Sequence, residues 1–302
     1  MNKLIEEKIR EFVLTRQFND RIVVEKDLAY PKISIVTPSY NQGQFLERTI
    51  LSVLNQNYHN LEYIIIDGGS TDGSVEIIKK YEKYLTYWVS EKDKGQSDAI
   101  NKGFAKATGL IYAYLNSDDI YLPGLFSAVA DSFIKHPDIS LLYGNKLIID
   151  CNDNVISERR VTRYTYLSKL GFFYGGFGFY QPASFWTKNA YDLSGGVDVS
   201  LKFCMDNDLF YKFLINGGKF QFIRQYFSGF RIHEHSKTST ISKTAEAEMS
   251  LLTQRYNLKR NSTNAKYVWF LVRLHRALLY VLQGDADYLF FKVFKDKLKW
   301  VP

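Results

Sequence analysis

Residues 31–72 read PKISIVTPSYNQGQFLERTILSVLNQNYHNLEYIIIDGGSTD, and this stretch decides the fold class. Ile33 to Thr37 is a short β-branched run, the composition of a strand buried on both faces of a parallel sheet. From Gln44 to Leu54, apolar side chains at Phe45, Leu46, Ile50, Leu51 and Leu54 recur at helical spacing. Tyr63 to Ile66 is a second buried strand, stopped by Asp67-Gly68-Gly69-Ser70. The rhythm continues with a helix over 75–84, a strand over 86–89, a helix over 97–107 and a strand over 110–115. That alternation predicts an α/β fold, a mostly parallel sheet with right-handed crossovers. Such sheets bind ligands beyond the carboxyl ends of their strands. Three polar clusters fall there: Pro38-Ser39-Tyr40-Asn41, Asp67 to Asp72, and Asn116-Ser117-Asp118-Asp119.

Outward from this core the pattern is less regular. Residues 1–30 read as an N-terminal helical extension, a charged helix and then a polar connector. Strands are predicted near Leu141 and Leu147, an aromatic stretch runs from Tyr164 to Tyr180, and a helix covers Asp206 to Ile215. Residues 31–240 are expected to form one body, and 241–302 a C-terminal helical tail of two or three helices.

The composition, 46% hydrophobic and 24% charged over 302 residues, is that of a folded globular chain. The 22 Tyr and 22 Phe suit sugar faces but fill cores first. The net charge of +7 lies entirely after residue 254, where ten Lys/Arg face three Asp. Two cysteines, Cys151 and Cys204, make no disulfide framework, and the expected setting is a reducing cytoplasm. The opening residues lack the apolar core of a signal peptide, and no run of about 18 apolar residues could span a bilayer. The sequon at Asn261 would then go unused, and no nucleic-acid partner is expected.

A carboxylate pair closing a strand, as at 116–119, can hold a divalent cation through hard oxygen ligands. Such an ion bridges the phosphates of a nucleoside diphosphate and neutralises it as a leaving group. The plain alternative is a solvated turn capping the helix after Leu122-Pro123.

The succession TPSYNQGQFLERTILSVLNQ, YIIIDGGSTDGSVEII, SEKDKGQSDAINKGFAKATG and AYLNSDD resembles glycosyltransferase family two. The likeness is close over roughly residues 31–125 and looser to about 240, and its wording is similar to the O-antigen and surface-polysaccharide branch. It implies the GT-A fold, with a nucleotide-sugar half over 31–125 and an acceptor half over 126–240. It also implies inverting transfer, Mn²⁺ or Mg²⁺ as cofactor and a nucleotide-sugar donor, expected to be a UDP-sugar. The acceptor is expected to be a glycan, a lipid-linked glycan or a glycoprotein.

By the same resemblance, Asn116-Ser117-Asp118 occupies the Asp-x-Asp motif. Asp118 is then the metal ligand, Asn116 departs from the first Asp, and Asp119 stands next in line to compensate. Pro38, Tyr40 and Asn41 are placed against the nucleoside, and Asp67 as an acceptor for the base, with Gly68 where a second Asp is common. Asp98 and Asn101, three apart on one helix face, are directed at the nucleotide, with helix capping the alternative for Asp98. The segment GGVDVSLKFCMDNDLFYKFLINGG matches the Glu-Asp region that carries the base, with Met205 in place of Glu. Asp206 is therefore the expected general base and Asp208 the reserve, while capping of its own helix is the alternative reading of Asp206. His233 falls on the His of an Arg-x-His-x-x-Ser segment, implying contact with metal or diphosphate, and His235 is the weaker candidate. Gln181-Pro182, with Phe179, Tyr180 and Trp186, marks the acceptor side, though most of these rings are expected in the core.

Two other classes compete: a nucleotidyltransferase, which lacks here its basic Gly-rich loop, and an inactive sugar-nucleotide-binding module. A Rossmann dehydrogenase is weaker still, since no Gly-x-Gly-x-x-Gly follows a strand. The tail segment KYVWFLVRLHRALLYVLQ, Lys266 to Gln283, confines Lys266, Arg273, Arg276 and Gln283 to a narrow stripe. Its wide apolar face needs cover, from the chain's own body, a second subunit or the inner membrane surface.

Overall fold

The computed structural model describes residues 3–18, 30–174, 178–234, 242–260 and 262–295. After α1 (Lys3–Leu14), parallel strands β1 (Ile33–Ser39), β2 (Leu61–Asp67), β3 (Tyr87–Ser90) and β4 (Ile111–Tyr114) alternate with α2 (Gly43–Leu54), α3 (Ser74–Tyr81) and α4 (Gln96–Lys106). Each lies within a few residues of its predicted position. Ile33 pairs with both Leu61 and Ile111, so β1 is central and its two neighbours flank it in register. The order β3-β2-β1-β4 sends the chain away from β1 and β4 to opposite sides. The crevice opens at that reversal, where diverging loops leave backbone groups uncovered.

Both faces of β1 are buried, which is why it reads as an unbroken apolar run. Ile33 and Ile35 pack with Leu46, Ile50 and Ile78 of α2 and α3. Val36 points the other way, with Ile100 and Phe104 of α4. There Gly103 lets α4 approach closely, since a Cβ on it would lie 2.4 Å from Val36 Cγ1.

The second half departs from a purely parallel plan. It contains β5 (Ile120–Tyr121), α5 (Leu125–Lys135), β6 (Leu141–Ile149), β7 (Val155–Arg159), α6 (Tyr166–Tyr174), β8 (Ser184–Thr187), α7 (Lys188–Ser194), α8 (Met205–Ile215) and β9 (Phe220–Arg231). The strands expected near Leu141 and Leu147 are one nine-residue strand. Strand β8 runs antiparallel to both β4 and β6 and joins the two halves into one sheet, and β6 continues parallel to β9.

The tail forms α9 (Ser242–Arg255), α10 (Ala265–Leu282) and α11 (Ala286–Lys295). Helix α10 rests on α6, with Val272 against Gly171. Of the covers expected for its apolar face, the body supplies part: Ala265, Val272, Leu279 and Tyr280 are buried, while Tyr267, Phe270, Leu274 and Leu278 are exposed. Gln283 also turns inward and accepts from Arg163 N–H, and His275 meets Thr165 Oγ1. Among the described residues no helix is long and apolar enough to cross a membrane.

Candidate functional site

The first wall of the crevice is a pair of loops tied to each other. Asn41, in a left-handed conformation (φ 51°), donates its N–H to Ser70 Oγ (2.8 Å) and accepts Thr71 N–H on Oδ1 (2.9 Å). Gly43 N–H donates to Asp72, whose other oxygen accepts from Ser74 at the start of α3. The loop after β1 is thus fixed to the loop after β2, with Pro38 and exposed Tyr40 along a cleft of about 600 Å³.

The opposite wall is the turn after β4. Asp118 lines the cleft, and its Oδ2 lies 3.1 Å from His233 Nε2. His233 is seated by Phe45, ring centroids 4.8 Å apart. Asp119 is buried and accepts Arg231 N–H on Oδ1 (2.9 Å). Burial, and then the neighbouring Asp118 charge, push its pKa well above the carboxylate range. Arg231 holds the turn from behind: its guanidinium donates to Asp118 O and Asp150 O and pairs with Asp153 at 2.6 Å. Ser117 is buried, its carbonyl accepting from Thr49. Asn116 receives Gln96 Nε2 on Oδ1 (2.6 Å), which closes the gap between the turn and the N-terminus of α4.

Among the described residues no group of three His, Cys, Asp or Glu gathers as a cation cage. The carboxylate fits Mg²⁺ or Mn²⁺ bound partly by substrate phosphates, and the imidazole nitrogen beside it favours Mn²⁺, the softer of the two. These ions keep several waters and need only one or two protein ligands.

A second cleft of about 460 Å³ shares Gln96, Asn116 and Phe230 with the first and contains Asp206. Asp206 lies in the first turn of α8, where its Oδ1 accepts Asn207 N–H. Burial raises its carboxyl pKa, opposed by backbone N–H groups and by the Lys146 charge. Lys146, on β6, places its ammonium 4.1 Å from the ring centres of Tyr180 and Phe230. Burial lowers its pKa to about 8 against the pull of Asp119 and Asp206. The α8 N-terminus is anchored from the tail: backbone N–H groups of Lys202, Phe203 and Cys204 all donate to Glu248 of α9. Where the family pattern has Glu, Met205 is buried and its sulfur accepts Ser97 Oγ–H.

Several expected residues stand elsewhere. Asp67 is fully buried, and its oxygens are taken by Gly69 N–H, Ser70 N–H, Ser70 Oγ–H and Ser90 Oγ–H. It orders the loop, and the carboxylate that lines the cleft there is Asp93. A Cβ on Gly68 would fall 2.9 Å from that carboxylate, so Asp93 occupies the space beside the glycine. Asn101 is not at the cleft either: it binds Tyr191 OH and both polar groups of the Val197 backbone. Asp98 accepts Lys94 N–H and pairs with Lys102, the capping alternative. Asp208 is fully buried and held by Arg255, Tyr256 and Lys212, so it fastens α9 to α8 and is no reserve base. Trp186 is core, while Gln181 and Tyr180 line the second cleft. His235 lies outside the described residues. Gln96 and Lys146 went unassigned in the sequence because no local pattern marks which face of α4 or β6 meets the crevice, and Asp93 because it lies in the loop between β3 and α4.

Known proteins agree with this architecture. An uncharacterized glycosyltransferase of Nostoc sp. is 33% identical over 130 residues, 42% of this chain and 40% of that protein. A UDP-Glc:alpha-D-GlcNAc-diphosphoundecaprenol beta-1,3-glucosyltransferase of Escherichia coli is 30% identical over 143 residues, 46% of this chain and 56% of that one. The chain thus spans about half the length of these curated relatives. In structure it is similar to S. aureus TarS 1-349 in complex with UDP-GlcNAc, with a TM-score of 0.59, 17% identity, and 78% and 70% of the two chains covered. A mannosyltransferase from Pyrobaculum calidifontis in complex with GDP-Man and Mn²⁺ gives a TM-score of 0.55 at 14% identity over 95% and 87%. These likenesses support the GT-A fold. The model of the family described as glycosyl transferase family 2 matches residues 34–191, just over half of the sequence, and the chain belongs to that family.

Proposed function

We propose that the protein is an inverting glycosyltransferase that moves a sugar from a UDP-sugar to a hydroxyl of a glycan, lipid-linked glycan or glycoprotein. The observation that carries the reading is the meeting of two clefts at Gln96 and Asn116, with Asp118 in one and Asp206 in the other. The nucleotide lies in the first cleft, between the tied loops at Pro38, Tyr40 and Asn41 and the turn at Asn116 to Asp119. Asp118 and His233 hold the divalent cation, which when bound neutralises the diphosphate as it leaves. The acceptor enters the second cleft. Its hydroxyl gives a proton to Asp206 as its oxygen bonds the anomeric carbon, and the bond from that carbon to the diphosphate breaks on the opposite face. A carboxylate with a raised pKa is the stronger base for this step. Lys146 favours the charged form of both Asp206, in the second cleft, and Asp119, buried behind the turn.

A UDP donor is supported by the E. coli relative's name and by the ligand of the TarS neighbour, while the mannosyltransferase neighbour carries GDP-Man. The test is a panel of UDP- and GDP-sugars with a mixed acceptor extract, with and without Mn²⁺. Release of UDP is expected, abolished by chelator and by Asp118→Asn in a folded protein. Release of pyrophosphate would instead identify a nucleotidyltransferase, and Asp118→Asn at full rate in chelator would end the metal reading.

A further inference from the structure

Helix α10 has a mixed inward side: Ala265, Val272, Leu279 and Tyr280 are buried there, while Arg276 packs beside Gly178, His275 meets Thr165, and Gln283 binds the backbone at Val161 and Arg163. Its outward side is apolar. Tyr267, Phe270, Leu274, Leu278, Val281 and Leu282 are each at least 52% exposed, and their spacing puts them on one stripe. At 1.5 Å per residue the stripe runs about 22 Å. A contiguous apolar face of this length marks an interaction surface.

Among the described residues nothing covers it, and the body holds the opposite side of the helix. The charge around the stripe selects among outside partners. Exposed Lys266 and Arg273 border one edge. Residues 256–284 carry Lys259, Arg260, Lys266, Arg273 and Arg276 and no acid at all. The next two acids are answered: Asp285 is buried between Arg160 and Arg224, and Asp287 pairs with Arg160. A second copy pairing stripe to stripe would set these cations against themselves. An anionic surface with an apolar interior complements both features. We propose that the outer face of α10 docks on an anionic lipid surface, with its stripe at the acyl boundary and Lys266 and Arg273 among the headgroups.

The docking helix also backs the second cleft. Arg260, just before α10, lines it, and Arg276 lies against Gly178 beside Phe179 and Tyr180 of the same lining. A lipid-linked acceptor would therefore reach Asp206 from the surface on which the enzyme sits. That consequence alone rests on the transferase reading, whereas docking is measured without turnover.

The test is sedimentation of the full chain with phosphatidylglycerol-containing vesicles and with phosphatidylcholine alone, at low and high salt, with ultracentrifugation of the free protein. The intact chain should pellet with the anionic vesicles at low salt only. The exposed double substitution Leu274→Glu/Leu278→Glu should weaken binding about a hundredfold or more, with an unchanged melting temperature. Lys266→Gln/Arg273→Gln should weaken it roughly 30-fold. The proposal is overturned if the intact chain stays in the supernatant, if either variant pellets as well as the parent, or if the free chain is a dimer that Leu274→Glu/Leu278→Glu splits.

Discussion

Replacing Asp206 by Asn separates the chemistry from the fold. The side chain keeps its size, and its amide oxygen can still accept Asn207 N–H as Oδ1 does. What is lost is the basic oxygen. A positioned general base contributes about 10²- to 10⁴-fold, or roughly 2.7–5.5 kcal/mol of barrier. Stability should move the other way. The folded-state pKa of Asp206 is raised by burial, so the folded chain holds this proton more tightly than the unfolded one. Stability from this group is present at low pH and is lost as pH rises past its unfolded value. Asn removes that loss, so the melting temperature at neutral pH should hold or rise slightly. The assay is initial-rate transfer from a labelled donor, with UDP affinity measured separately. Wild-type kcat/KM should climb through a pH above the usual value for an aspartate, and the variant should lack that limb. A variant within about fivefold of wild type, or one whose melting temperature falls along with its rate, would refute the role.

Arg231→Met should destabilise the protein by about 1–3 kcal/mol in urea unfolding, because it leaves buried Asp153 with Arg48 alone and frees the turn at Asp118. Glu248→Gln weakens three charge-assisted bonds to the start of α8. It should cost about 1–3 kcal/mol and lower kcat with little change in donor KM, read by denaturation and steady-state kinetics. Gly103→Ala forces a methyl into Val36, and thermal unfolding should report a loss of about 1–3 kcal/mol.

The donor half was legible because its strands are buried on both faces and its helices on one, so each element advertises its own period. Ile33 to Thr37 and Phe45 to Leu54 need no distant partner to be read. Residues whose role depends on a partner far along the chain were not legible. Lys146 is one residue of a nine-residue buried strand, and its meaning comes from Asp119 and Asp206. Asp67 was set against the base by resemblance, yet Ser90, on the neighbouring strand, helps to saturate it. The direction of α10 was likewise hidden: a helical wheel shows two faces but not which one the rest of the chain will accept.

The anchorage of α8 by α9 bears on how such enzymes can be recombined. Glu248, Arg255 and Tyr256 all come from sequence beyond residue 191, where the family match stops. Helix α8 carries Asp206, and both it and the helix that anchors it lie outside the residues that the family model matches. A chimera that exchanges acceptor halves between relatives must carry α8 and α9 across as a single cassette. Cutting between them would pass on the helix that bears Asp206 without the carboxylate that holds its first turn.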